Sequence, residues 1–530
     1  MCNSNRFCLS GQVIRPNCTY HMMPSIFQKP FDRAAFTKSL KNPYLCVLLF
    51  VLVLHFALTF TALYNRYVSF EMWEPVDSSA YMQISWSIVH GSPFTTSIQE
   101  RWVSYAQHNF LGDQLIFTLS LFSPLLIFTT SGVLFLIVQT VIISLGAVFL
   151  YAYANRKLGS PALSVVVATC YLFHAATFLS FHFFGFRVET LFIPFIVAVF
   201  YFAETKRHIL ASVFLLLTLL TKHNAIPVVF MIGVYFVAFN RGNRRFGLFS
   251  MCVALIYYLV GVEWIMGHFQ QDPVAHFKHF ARFGPTPWQA LSHLILHPSI
   301  VISEISKQEM SHFLMIFAPY GFLAVFSPVF WISFFQLLIL SLLDDYQSMF
   351  CGWHWALVVP FIFLGMTATV AWVRKRTGNH KMATSALVAV LAGGLLFHLS
   401  LYNQHILQAD KQFHFKARGV DFEQVMAGLS GIEKDASVMA SGQLLWYLYD
   451  RERIFHAAER FHDDVDYVAV LVPFDYPHYR NTDRNLSLEL KKKLRNQKSK
   501  LDAFDLVHRS DNLLVFKNRS ATQPLISTRK

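Results

Sequence analysis

Residues 65–113 read NRYVSFEMWEPVDSSAYMQISWSIVHGSPFTTSIQERWVSYAQHNFLGD. The stretch sets Glu71, Glu74, Asp77, Glu100 and Asp113 beside Arg101, Gln107 and His108, among Trp73, Tyr81, Trp86, Trp102 and Tyr105. Carboxylates can take protons, cations can hold a phosphate, and aromatic faces can stack on a sugar ring, so the mixture suits a sugar or phosphate pocket. A segment that only joins two membrane helices needs a handful of residues. This one is far longer. An interfacial aromatic belt with solvated charges uses the same residue types, so the rest of the chain has to decide.

Comparable polar clusters recur downstream: Arg187 with Glu189, Lys222-His223, the group His276, Lys278, His279 and Arg282, and Asp344-Asp345 with His354. A lone ionisable group at a membrane boundary snorkels to water. Charges of both signs gathered on one face are better explained by a site. In that reading Asp77 and Glu74 are the candidate catalytic carboxylates. Arg101, His108, Arg187, Glu189, Lys222, His276, Lys278, Arg282 and His354 are the candidate substrate- or phosphate-binding residues, arginine offering a bidentate grip. Asp344-Asp345 and Asp77 offer oxygens to a divalent metal, but adjacent acids in an outer loop are more often solvated. No metal ligands and no certain cofactor are assigned.

The elements that must position these groups are membrane helices. The 530 residues are 54% hydrophobic and only 14% charged, where a soluble domain carries about a quarter charged residues. Several apolar runs approach the roughly 20 residues that cross a bilayer. The net charge of +13 sits in short clusters between those runs, as in cytoplasmic loops, and does not point to nucleic acid. Seven scattered cysteines form no CxxC pair and support neither a disulfide framework nor a zinc site.

Charge bias predicts about eleven spans, with the N-terminus cytoplasmic and the C-terminus exoplasmic. Residues 1–42 are a basic cytoplasmic segment, and 43–403 a mainly α polytopic helical bundle with long outer loops at 65–113 and 267–311. The spans begin with 43–64, 132–155, 160–180, 188–203, 208–221, 225–240 and 247–266. Residues 312–342 fit either one long span or a hairpin broken at Phe326-Ser327-Pro328; the basic cluster at 374–381 favours the hairpin. A short re-entrant or interfacial helix is expected over 111–124, and amphipathic helices over 78–89 and 297–310. Residues 404–530 are ordinary in polarity and suit a small exoplasmic α/β domain. Its strands are predicted at ASVMAS, RIFHA, DYVAVLV, FDLVH and NLLVF, with helices at QLLWYLYD and SLELKKKLRNQKSKLDA.

With this layout, VDSSAYMQISWSIVHG resembles the D-x-x-x-x-x-Q-x-x-W stretch of a large bacterial and archaeal membrane-protein family known as a domain of unknown function. The likeness continues through QHNFLGDQL, FHFFGFRVETLFIPF, ARFGPTPWQAL, FAPYGFLAVFSP, WHWALVVPF, DASVMASGQLLWYLYDRERIF and DYVAVLV. It covers about residues 45–518. The family is similar in layout to the GT-C glycosyltransferases, membrane enzymes that use polyprenyl-phosphate sugars. In them a carboxylate in the first outer loop serves the reaction centre, and Asp77 matches it by position. The chain departs from the family pattern twice. Phe186-Arg187-Val188-Glu189 stands where Phe-His-x-Glu is usual, and Lys222-His223-Asn224 where Lys-Glu-Asp is usual, which removes acids from the second place.

The resemblance implies transfer of a sugar from a polyprenyl-phosphate donor to a glycan, lipid or protein acceptor at the outer face of the cell (inner or cytoplasmic) membrane. The alternative is a non-catalytic polyprenyl-lipid binding protein, a transporter or an assembly scaffold. No inverted repeat is visible, and the charges sit at the outer face instead of the mid-membrane position a transporter favours.

Overall fold

The computed structural model describes residues 42–72, 75–98, 109–182, 185–269, 282–304, 307–342, 352–378, 381–403, 420–457, 462, 464–471 and 503–522. Asn42 starts the first helix, α1 (Pro43–Val68): its side chain accepts from the Tyr44 N–H, and Pro43 occupies the first helical position, where no donor is wasted. Phe70, in the left-handed region at φ +56°, turns the chain towards α2 (Pro75–Val89).

The sequence predicts α2 as amphipathic, and the structure corrects this. Every residue from Ser78 to Ser85 is buried. Its serines are tolerated inside because they hydrogen-bond locally, Ser79 to the Pro75 carbonyl and Ser85 to the Tyr81 carbonyl. Short helical turns at Phe110–Gly112, Leu119–Phe122 and Ser123–Ile127 follow, the last two lying on α2. They take the place of the expected short helix over 111–124.

Next come α3 (Val133–Leu158), α4 (Pro161–Phe173) and α5 (Ala175–His182). One span was expected over 160–180, but His174 divides it. Its backbone is extended (φ −71°, ψ 137°) and its ring Nδ1 accepts the Ala176 N–H, so it ends one helix and starts the other. After a turn at Val188–Leu191 the chain forms α6 (Phe192–Glu204), α7 (His208–Thr221), α8 (Ile226–Phe239) and α9 (Arg244–Tyr257). The last continues as a π-helix, Tyr258–Met266.

Further along the chain come α10 (Pro287–Leu296) and α11 (Pro298–Glu304), followed by α12 (Lys307–Phe317). The break expected at Phe326-Ser327-Pro328 is present, and it opens earlier. Pro319 lacks the N–H that would continue α12, and Gly321 and Phe322 are left-handed at φ +57° and +55°. The chain regains helical form in α13 (Phe334–Leu342), then α14 (Val359–Arg376) and α15 (Lys381–Tyr402).

Five described stretches are long and apolar enough to cross a membrane: 43–68, 133–158, 241–269, 353–376 and 384–402; four shorter apolar helices accompany them. Helix α3 packs against α1, α4, α6 and α14, and α14 is buried without a break from Val359 to Thr367. These helices form the core of a mainly helical membrane protein.

The C-terminal part begins with α16 (Phe422–Leu429), capped by Asp421 and not anticipated from the sequence. All five predicted strands form: β1 (Val438–Ala440), β2 (Ile454–His456), β3 (Tyr467–Leu471), β4 (Phe504–Arg509) and β5 (Leu513–Asn518), with α17 (Leu445–Leu448) between the first two. They make one sheet in the order β2-β1-β3-β5-β4. β1 is parallel to β2 and β3, and β5 is antiparallel to β3 and β4. The helix predicted from SLELKKKLRNQKSKLDA lies almost wholly outside the described residues.

This module is packed against α2 and the residues that follow it. Gln83 of α2 donates to the Arg451 carbonyl at 2.9 Å, and Ser97 both donates to the Ile454 carbonyl (2.8 Å) and accepts its N–H (2.9 Å). Tyr449 donates to the Thr130 carbonyl and Tyr447 to that of Tyr67. Trp446, fully buried, lies on Gly185, which is left-handed at φ +69°; a Cβ there would meet the indole Cζ2 at 2.3 Å. Gly185→Ala is therefore expected to destabilise the protein by about 1–3 kcal/mol or more. The unfolding midpoint in detergent should fall, with faster proteolysis after residue 403. An unchanged midpoint would show that Trp446 has room to withdraw.

Candidate functional site

Helix α2 starts at Pro75, so Asp77 lies within its first turn, where the helix dipole favours a carboxylate. It is not the residue preceding the helix, as a simple capping role would require. The opposing groups arrive on the 185–190 turn, the α7–α8 turn and the entry to α14. Arg187 Nη1 donates to Asp77 Oδ2 at 2.5 Å, and Lys222 Nζ to Glu189 Oε1 at 2.6 Å. The Arg187 guanidinium lies over the Trp353 ring, 3.8 Å from its centre, a stacking that suits arginine's planar, weakly hydrated cation. The His354 ring lies within electrostatic reach of Lys222, Glu189, Arg187 and Asp77 together.

Burial grades this cluster. The Arg187 side chain is 0% exposed, Glu189 2%, Lys222 13% and Asp77 32%. Asp77 is thus the charge presented outward, and the other three support it. Tyr81 joins them from α2, its hydroxyl donating to Gln114 Oε1 at 2.9 Å and reaching Glu189 Oε1 at 3.5 Å. Burial, and then the carboxylates of Glu189 and Asp77, pushes the Tyr81 phenol up, so it keeps its proton and remains a donor. Glu189 Oε2 is buried and has no hydrogen-bond partner among the described residues.

Five of the residues picked from the sequence therefore meet: Asp77, Arg187, Glu189, Lys222 and His354. The described contacts of Arg282 lie elsewhere; it donates to the Leu342 carbonyl at 2.9 Å and lies over Phe283. Glu74, Arg101, His108, His276, Lys278 and the pair Asp344-Asp345 are outside the described residues. Among the described residues no three His, Cys, Asp or Glu side chains are grouped to hold a metal ion.

Cations converging on a cavity imply an anionic ligand only if nothing else neutralises them. Here Arg187 and Lys222 each hold a carboxylate of the protein, so the four groups sum to zero formal charge. Gln139 was also missed. It is fully buried in α3, accepts the Arg187 N–H at 2.6 Å and donates to the Gly185 carbonyl at 2.8 Å. Its signal was present in FLIVQTVII, an amide inside an apolar span.

Among solved structures, the chain is similar to the archaeal oligosaccharyltransferase AglB from Archaeoglobus fulgidus in complex with an inhibitory peptide and a dolichol-phosphate. The identity is 12% and the TM-score 0.41, over 92% of this chain and 75% of that one. A second Archaeoglobus fulgidus oligosaccharyltransferase structure, a complex with Zn and sulfate, gives 12% identity and a TM-score of 0.42, over 90% and 74%. Overlays this loose leave the site to be argued from its own residues. No curated protein matches the sequence. Residues 75–515 match the family described as "Predicted membrane protein (DUF2079)", and the chain belongs to that family.

Proposed function

We propose that this membrane protein is a glycosyltransferase that moves a sugar from a polyprenyl-phosphate donor to an acceptor hydroxyl or amide of a glycan, lipid or protein. The observation that carries the reading is the graded cluster: a partly exposed Asp77 carboxylate backed by a fully buried arginine and a second buried ion pair. The acceptor heteroatom attacks the anomeric carbon as the bond from that carbon to the phosphate oxygen breaks. The bonding pair leaves with the polyprenyl phosphate, and the acceptor's proton passes to Asp77.

The internal neutrality of the cluster then becomes useful. Once Asp77 takes the proton, Arg187 loses its counter-charge at the moment the departing phosphate gains negative charge. The electrostatic attraction therefore strengthens on the way to the transition state and is weak in the resting protein, which is the differential binding that accelerates a reaction. Lys222, slightly exposed, and Tyr81, held as a donor, both reach Glu189 Oε1 behind this pair. No metal is assigned to any of these steps.

In this reading residues 1–42 are cytoplasmic, the charged cluster faces the outer side of the cell membrane, and the module from 404 onward is exoplasmic. Purified protein incubated with radiolabelled polyprenyl-phosphate sugars and extracted acceptor fractions should release polyprenyl phosphate in step with product. No release from any donor, by protein that binds polyprenyl phosphate, would leave a lipid-binding role in place of the enzyme. An impermeant thiol reagent on intact cells should label a cysteine placed at Ser510 but not one at His380. The reverse pattern would remove the C-terminal module from the active side.

A further inference from the structure

The turn that carries both Arg187 and Glu189 is held from two sides. From α3, Gln139 Nε2 donates to the Gly185 carbonyl (2.8 Å), while its Oε1 accepts the Arg187 N–H (2.6 Å) and the Thr190 hydroxyl (3.3 Å). From the C-terminal module, the Trp446 indole covers Gly185 so closely that no Cβ fits between them. Thr190 adds a bond to the Arg187 carbonyl at 2.6 Å. One buried amide thus ties the beginning, middle and end of the turn.

We propose that Gln139 is a positioning residue, fixing the Arg187 backbone so that its guanidinium is held between Asp77 and Trp353. The inference builds on the catalytic reading of Asp77, but its test does not depend on it. An amide is the side chain that can serve this role, since it donates with one arm and accepts with the other. In an apolar span its only partners are the ones the fold brings to it.

The test uses the full chain in detergent and follows carbodiimide labelling of Asp77 by mass spectrometry, with Arg187→Met as the unprotected reference. Gln139→Met keeps the shape of the side chain and loses all three bonds. It is expected to raise Asp77 labelling about tenfold, and to lower kcat about tenfold with the donor KM within about twofold, the scale of losing hydrogen bonds at a buried site. Gln139→Leu, a branched apolar replacement, loses the same bonds and should raise labelling by a similar factor. Labelling raised with kcat unchanged would sustain the positioning role and sink the catalytic reading of Asp77. Wild-type labelling in both variants, or in Gln139→Leu if the other does not fold, overturns the proposal.

Discussion

Asp77→Asn is expected to lower sugar transfer by about two or more orders of magnitude, and also to destabilise the protein. The second effect follows from Arg187, whose side chain is fully buried and would be left as an uncompensated charge. Breaking one side of a buried pair costs about 3–5 kcal/mol, and the low end applies because about a third of Asp77 is exposed. A loss of activity alone would therefore not separate a base from a counter-ion. The double variant Asp77→Asn with Arg187→Gln does. It removes both charges, so the unfolding midpoint should return close to wild type while transfer stays about 100-fold down. If transfer recovers along with stability, Asp77 serves only to neutralise the arginine, and the non-catalytic readings of the protein take over.

The second large effect is expected at the inner pair. Lys222→Met leaves Glu189, 2% exposed, without the cation 2.6 Å away, and its other oxygen already has no hydrogen-bond partner among the described residues. The expected destabilisation is about 3–5 kcal/mol, enough to deplete folded protein in the membrane. Adding Glu189→Gln should restore most of that stability, because the amide is uncharged and can still accept from Tyr81. Should Lys222→Met be as stable as wild type, the pair is solvated and the graded burial of the cluster is wrong. Thermal unfolding of the three variants in one detergent decides the matter.

The parts of this arrangement that were legible in the sequence are those that depend on local composition. Runs such as VLLFVLVLHFALTF announce spans, and DYVAVLV announces a β-branched strand. Arg187, Glu189, Lys222 and His354 stood out because charge is rare in this chain. Their pairing was hidden. Asp77 and Arg187 lie 110 residues apart, and which carboxylate meets which cation is set by how α2 meets the 185–190 turn. The burial of α2 was hidden for a related reason. Its serines and Gln83 read as a wet face, but their partners come from its own carbonyls, from Ser97, and from Arg451, 368 residues downstream. The break at Ser327-Pro328 was legible, but not that it opens earlier, at Pro319 and the left-handed Gly321 and Phe322.

That bond from Gln83 to Arg451 also sets a timetable for biosynthesis. During translation, α2 leaves the ribosome with a buried-type amide and serine whose partners have not yet been made. At about 5–20 residues per second the wait for the remaining 368 residues is roughly 20–70 s. Until then the helix bearing Asp77 has no settled place, and the Arg187 turn lacks Trp446 as a lid. A chain that terminates early thus inserts most of its spans yet never completes the charged cluster. Ribosomes stalled after residue 440 should hold a protein whose Asp77 remains open to carbodiimide.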